Sequence, residues 1–583
     1  MAPRRSLDPP REVDLVVVGS GAAGLAAAVT AAHLGLEAVV LEKHAQFGGT
    51  TAWSGGWLWI PRNRHAHAAG LDEPVSAPRA YLEHELGNGF DATRIDRFLE
   101  QAPHMVDFFE EKTAVRFFGG NAIPDFHGRS PAAGIGGRSV CAEPCDGRIL
   151  GDRLADMRTP LDLVSPFAMG IASGADLRHF LEATRSLCSF LHVVRRLARH
   201  TLDLLRAGRG LHLVAGNALI ARLARSAFDR GVDIRVSTPV VGLIREGDRI
   251  AGVRVATDGP AQEIRARRGV VLACGGFPHD EARKAALFPH APSGREHWSA
   301  APPANSGDGL RLGEHAGGRI EVGAHAGAWA PVSLVTRADG SIGAFPHLIE
   351  RAKPGLIAVR RDGRRFVDEA GSYHDFRNGL FAATPAGEAP RAWLVVDHAF
   401  QRHYGLGHAR PRPFPLRPWL RSGYLKRGGT LRELAQVCGI DPDGLEATVA
   451  RHNAGARVGD DPEFGRGSVA YERMQGDPGH GPNPCVAAIE RAPFYAVEIV
   501  PGSLGTFAGL ATDADARVLD AAGAPIAGLY AVGNDMASIM AGRYPAGGIT
   551  LGPAMTFGFV AAHHAAGRPL PAADASIPAI RPK

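Results

Sequence analysis

Residues 14–43, DLVVVGSGAAGLAAAVTAAHLGLEAVVLEK, decide the fold class. The run Leu15 to Val18 is continuously apolar, as a strand buried on both faces of a parallel sheet must be. Glycines Gly19, Gly21 and Gly24 follow at once, with Ala22 and Ala23 between the last two, and open an alanine-rich helical stretch. A second apolar run, Ala38 to Leu41, ends at Glu42 and Lys43, and Glu42 stands 18 residues after Gly24. Strand, G-x-G-x-x-G, helix, strand and acid together form a dinucleotide-binding fingerprint. Its first glycine permits the tight turn, the second lets the backbone approach a pyrophosphate, and the third lets helix and strand pack closely. Glu42 is then placed to accept a hydrogen bond from a ribose hydroxyl. The prediction is an α/β fold with a Rossmann-type domain.

Composition narrows the partners. A chain of 583 residues exceeds one hydrophobic core and predicts several domains. Its 73 glycines follow no period, which points to many tight turns and close backbone approaches to a large ligand. A formal charge of +5, spread among acids without an aromatic-interleaved basic patch, argues against nucleic acid as a partner. The six cysteines lie far apart except for Cys141 and Cys145, which no second pair joins, so neither a zinc site nor a disulfide framework is expected. No apolar stretch follows the arginines of MAPRRSLDPPREVD, and no apolar run is long enough to span a bilayer. The expected location is cytoplasmic.

Past Glu42, residues 46–61 read QFGGTTAWSGGWLWIP. Gly49 precedes Thr50 and Thr51, and Ser54 precedes Gly55 and Gly56. These crowded hydroxyls and bare amides suit the remaining length of an FAD molecule lying in extended form. Here the chain resembles the FAD-dependent flavoproteins of the fumarate reductase and 3-ketosteroid dehydrogenase superfamily. The histidine that anchors flavin covalently in some members is missing, so the resemblance implies non-covalent FAD. Residues 264–280, IRARRGVVLACGGFPHD, resemble the family's second sheet strand, Val270 to Ala273 leading to Gly275 and Gly276. Residues 524–540, APIAGLYAVGNDMASIM, place a short strand before Gly533, Asn534 and Asp535, which in the resembling proteins approach the FAD ribityl chain. Helix capping is the alternative use of Asn534 and Asp535.

The stretch from Arg319 to Tyr495 does not alternate as a dinucleotide domain does. The predicted organisation is therefore an FAD-binding domain in two parts, 1–318 and 496–570, with an inserted α+β substrate domain, 319–495. A helical insertion is expected at about 90–210. Within the substrate domain, RDGRRFVDEAGSYHDF, residues 361–376, resembles the family's R-R-F-x-x-E-x-x-x-Y stretch. The resemblance covers most of the chain and is weakest between Phe90 and Gly210. There residues 176–205 read as a helix with basic residues along one side, which is read as a solvated face in preference to a membrane-facing one.

The chemistry is concentrated in GRYPAGGITLGPAMTFGF, residues 542–559. A glycine turn exposes backbone N–H groups, and a helix starting near Thr550 and Leu551 aims its positive end at the same place. The Tyr544 hydroxyl and the Gly548 N–H are thus suited to donate to one ketone oxygen and stabilise enolate-like charge. This pattern is similar to the Y-x-x-x-G and T-x-G-P-A-M-T-F-G of 3-ketosteroid 1-dehydrogenases. That resemblance implies Tyr373 as the base that takes a proton from C2 while hydride leaves C1 for the flavin, and a further tyrosine that assists it. The matching segment, AIPDFHGRSPAAGIGGRS at 122–139, has Phe126 where that tyrosine is expected, with His127 beside it as a substitute helper. The implied activity is desaturation of a hydrophobic, steroid-like ketone, with the electron acceptor left open. A 4-ene-forming dehydrogenase, a fumarate-reductase-like ene reductase and a non-catalytic flavin carrier are the alternatives.

Overall fold

The computed structural model describes residues 12–572, apart from 173, 184 and 185. Strand Glu12–Val18 runs near the middle of an eight-stranded sheet. Ala38–Leu41 lies parallel to it on one side, followed by Asp233–Arg235. On the other side it pairs in parallel with Gln262–Leu272, whose second half pairs in parallel with Pro525–Ala531. Leu15, Val16 and Val17 are fully buried, as the unbroken apolar run requires. Helix Ala22–His33 is buried from Ala22 through Ala31. Its small side chains let helix Leu551–Ala566 come so close that a Cβ on Gly558 would lie 2.6 Å from the Ala23 carbonyl oxygen. The helix opened by the glycine fingerprint and the helix opened by the GRYPAGG turn therefore pack face to face.

Strands Trp57–Trp59, Phe117–Gly119 and Ser139–Ala142 form a small antiparallel sheet beside this core. The stretch between 90 and 210, expected to be helical, is thus mixed. Helix Ala92–Lys112 precedes these later strands, and helices Ala175–Glu182 and Leu187–Ala207 follow them. Strands of three or four residues are too short for hydrophobic alternation to reveal. Residues 176–205, expected as one helix, are two, the second capped by the Ser186 side chain accepting from the Ser189 N–H.

A separate antiparallel sheet joins Leu356–Val359, Ala392–Val396, Phe494–Ile499 and Lys426–Gly428, with apolar clusters of its own. Phe494–Ile499 runs through position 495, where the sequence reading ends the substrate domain. A buried ionic brace anchors the R-R-F-x-x-E segment: Arg365 pairs with Glu369 and Asp461 at 2.7 Å each, and Arg466 reaches Glu369 at 3.2 Å. No helix among the described residues is long and apolar enough to cross a membrane.

Candidate active site

A cavity of about 850 Å³ extends from the first glycine turn to the GRYPAGG turn. At its nucleotide end the three fingerprint glycines have different reasons to be glycine. Gly19 has φ +109°, and a Cβ there would lie 2.2 Å from the Ala273 oxygen; a Cβ on Gly24 would lie 2.1 Å from the Gly19 oxygen. Those two serve packing, and Gly24 does not line the cavity. Gly21 does line it, and its nearest neighbour for a Cβ, the Thr51 hydroxyl, is an uncrowded 3.6 Å away. Gly21→Val should consequently fold, fill the space where a pyrophosphate would lie, and purify without FAD. The ratio of flavin absorbance to protein checks this, and a fully yellow variant would remove the fingerprint from the account.

Glu42 is held by its surroundings. Its carboxylate accepts from the Ser20 hydroxyl at 2.6 Å and the His44 N–H at 2.9 Å, and the Ser20 hydroxyl accepts from the Gly48 N–H at 3.0 Å. Ser20 thereby ties the two glycine loops together; as a variable position of the fingerprint it carried no sequence signal. Lys43 donates to Ser306 at 2.8 Å and pairs with Asp308. The Ala22 N–H is claimed by the Thr51 hydroxyl at 3.1 Å, so Ala22 borders the cavity without offering that donor. Ser54 bridges the Thr51 carbonyl and the Gly56 N–H, and Asn305 bridges the Thr50 hydroxyl and the Gly275 carbonyl. Ala23, Gly49, Gly55, Gly56, Gly533 and Asn534 also border this wall of the cavity.

Two expected contacts move to other roles. Asp535 does not line the cavity; it is fully buried and accepts from the N–H groups of Cys274 at 2.5 Å and Gly276 at 3.0 Å. Burial pushes its carboxyl up to about 6 against the pull of those two bonds. It braces the glycine turn from behind, and Gly276 is a packing glycine whose Cβ would lie 2.0 Å from the Thr506 hydroxyl.

At the other end, side chains remote in sequence converge. Tyr373 is the first residue of helix Tyr373–Ala383, whose N-cap Ser372 accepts from the His374 N–H. The Tyr373 and Tyr544 rings meet edge to face, 4.9 Å between centroids. Phe126 stacks on Tyr544 at 5.8 Å and meets Tyr373 edge-on at 5.5 Å, so it does stand beside the expected base. Its position is fixed through the Pro545 carbonyl, which accepts both the Phe126 N–H at 2.9 Å and the Tyr81 hydroxyl at 2.7 Å. Gly548 has φ +97°, and its carbonyl accepts from Trp59 and Gly552. Its N–H has no acceptor among the described residues, and Gly548, Thr550 and Leu551 all border the cavity.

Burial pushes the Tyr373 phenol well above its ordinary range, and the neighbouring Tyr544 adds to this. Burial also raises Tyr544, while bonds to Tyr373 and Thr550 oppose the rise. His127 does not turn toward the base. Burial opposes its charge, but bonds to Asp375, at 2.6 Å, and Glu85 raise it to about 10, so it is a cation clamped between two carboxylates. The expected helper is instead a link between the Phe126 loop and the helix of Tyr373.

A glycine-walled dinucleotide cradle continuous with a tyrosine-lined pocket defines a flavin-dependent oxidoreductase. The FAD binding domain family matches residues 14–551, and the chain belongs to that family and to its 3-oxosteroid 1-dehydrogenase-like branch. It is 40% identical over 548 residues to a 4-oxocyclohex-2-ene-1-carboxylate 5-dehydrogenase of Sinomonas cyclohexanicum, covering 94% of this chain and 92% of that one. It is 37% identical over 573 residues to a 3-oxosteroid 1-dehydrogenase of Mycobacterium tuberculosis, covering 95% and 98%. The 3-ketosteroid delta1-dehydrogenase of Sterolibacterium denitrificans, solved with 1,4-androstadiene-3,17-dione, superposes with a TM-score of 0.88 at 35% identity, covering 96% of this chain and 100% of that one.

The cofactor is FAD, and the bare Gly21, the Ser20–Glu42 pair and the Leu551 N–H, which has no acceptor among the described residues, fit it. Contacts of this kind are hydrogen bonds and packing, so denaturation should release intact FAD into the supernatant. Flavin that stays with the precipitated chain would contradict a non-covalent site.

Proposed function

We propose that the protein desaturates a hydrophobic ring ketone of the 3-ketosteroid kind, placing the new double bond between the carbons α and β to the carbonyl, C2 and C1. One observation carries this reading: the Tyr544 hydroxyl and the free Gly548 N–H share a cavity with Tyr373, and the walls nearby include Phe118, Ile123 and Leu504. The two donors hold the ketone oxygen, and their hydrogen bonds strengthen as negative charge accumulates there. Polarising the ketone acidifies the α-carbon, and the Tyr373 oxygen takes that proton. FAD, when bound, supplies the acceptor for the hydride leaving the β-carbon. Proton and hydride together are the two hydrogens lost from the substrate. The apolar wall excludes water, which would otherwise compete for the oxyanion donors.

A second reading, a single-ring keto acid, is favoured by the 40% identity to the oxocyclohexene carboxylate enzyme. Two cations border the cavity, Arg178 and Lys353, the latter already donating to the Gln475 and Gly476 carbonyls at 2.8 Å each. Anaerobic mixing separates the two. A saturated 3-ketosteroid should bleach the flavin faster than 4-oxocyclohex-2-ene-1-carboxylate at equal concentration. Bleaching by the keto acid alone would replace the steroid reading. Reoxidation of the reduced flavin by an enoate, with no bleaching by either ketone, would instead identify an ene reductase.

A further inference from the structure

Arg158 borders the cavity, yet it is only 6% exposed. Its guanidinium lies over the Trp53 ring, 5.4 Å from the centroid, and Trp53 borders the same cavity. Among the described residues that side chain forms no ion pair and donates no hydrogen bond, and its Nε is shut off from solvent without an acceptor. Glu42 is the one charged group among them that favours its charge, and burial outweighs that help, drawing Arg158 below its ordinary range. An arginine nevertheless stays protonated, so the fold keeps here a buried charge that none of its own carboxylates pairs with.

The backbone sets Arg158 beside the glycine turns. Its N–H donates to the Phe47 carbonyl at 2.9 Å, and Met157 bridges to Phe47 in parallel. Phe47 leads into Gly48 and Gly49, and a Cβ on Gly49 would lie 3.5 Å from the Gly21 Cα, so this loop abuts the turn that a pyrophosphate approaches. The Trp53 Nε1–H donates to the Thr159 carbonyl at 3.0 Å and fixes the segment on its other side. Lys43, the other cation bordering this end of the cavity, is already engaged by Ser306 and Asp308. Glu42 and Asp308 border it too, so the two negative charges of a diphosphate would meet a wall whose only unpaired cation is Arg158.

We propose that Arg158 is a cofactor-binding residue, the cation that offsets the charge of the FAD diphosphate. Trp53 holds the guanidinium in place, and the Glu42 carboxylate is occupied by the Ser20 hydroxyl and the His44 N–H. Bound FAD thus provides the counter-charge that the chain itself withholds. The role belongs to cofactor binding and is the same whichever ketone the enzyme oxidises.

The test starts from three holoproteins: the parent, Arg158→Met, which keeps a stem against Trp53 and removes the charge, and Arg158→Lys, which keeps the charge. Each is diluted stepwise, and the FAD set free is read from its fluorescence, giving a dissociation constant without turnover. Arg158→Met should raise that constant roughly 10- to 100-fold, as fits losing one hydrogen-bonded charge partner. Arg158→Lys should recover most of the loss, and in excess FAD both variants should show the parental circular dichroism. A parental constant for Arg158→Met would overturn the proposal. So would an Arg158→Lys variant as weak as Arg158→Met, because the charge would then not be what holds FAD. An Arg158→Met variant that is misfolded even in excess FAD would make Arg158 a structural residue and overturn it as well.

Discussion

Tyr373→Phe should reduce its flavin on the order of 10² to 10⁴ times more slowly than the parent, the usual worth of a general base. The hydroxyl is the only group removed, and the helix that carries it keeps its Ser372 cap and its Arg351 anchor. FAD content should therefore be unchanged. The pH dependence follows from the sign of the shift: burial and Tyr544 raise the Tyr373 phenol, and the base acts only when ionised. The parental rate should accordingly climb as pH rises through the alkaline range, and the variant should lose that climb. Stopped-flow flavin reduction across pH checks both statements.

Tyr544→Phe tests a different kind of contribution. As an oxyanion donor Tyr544 matters most when charge has accumulated on the ketone oxygen, so its loss should lower kcat by roughly 10²- to 10³-fold with less effect on binding. Gly548 remains as the second donor, and the stacking of ring 544 on Phe126 needs no hydroxyl. The measurement is kcat and KM with a 3-ketosteroid. A large rise in KM at constant kcat would make Tyr544 a ground-state contact only.

The fingerprint was legible because its logic is local. Gly19 and Gly24 meet backbone a few residues or one strand away, and the apolar runs that frame them lie in the same thirty residues. The turn before Leu551 and the helix that starts there were legible for the same reason, since they are contiguous in the chain. Asp535 was misread because the N–H groups that occupy it, on Cys274 and Gly276, are some 260 positions distant. From sequence, an acid after a glycine at a strand end looks like a ligand; only the fold shows it facing a second turn. Ser20 and Tyr81 were missed because each acts through one hydroxyl on a distant partner, Glu42 and the Pro545 carbonyl. Tyr471, which borders the cavity and packs on Phe126, sits in a six-residue helix with no pattern of its own, and nothing near it in the chain announces either. His127 was noticed for its neighbour and then found clamped by Glu85 and Asp375, neither of which its own segment contains.

The most direct test of the account is one anaerobic stopped-flow comparison of the parent with Tyr373→Phe, using a saturated 3-ketosteroid and weighing the product. The account predicts that the parent bleaches its flavin and yields a product two hydrogens lighter, while Tyr373→Phe, equally yellow, lags at least about a hundredfold. Equal bleaching rates for the two proteins would contradict it.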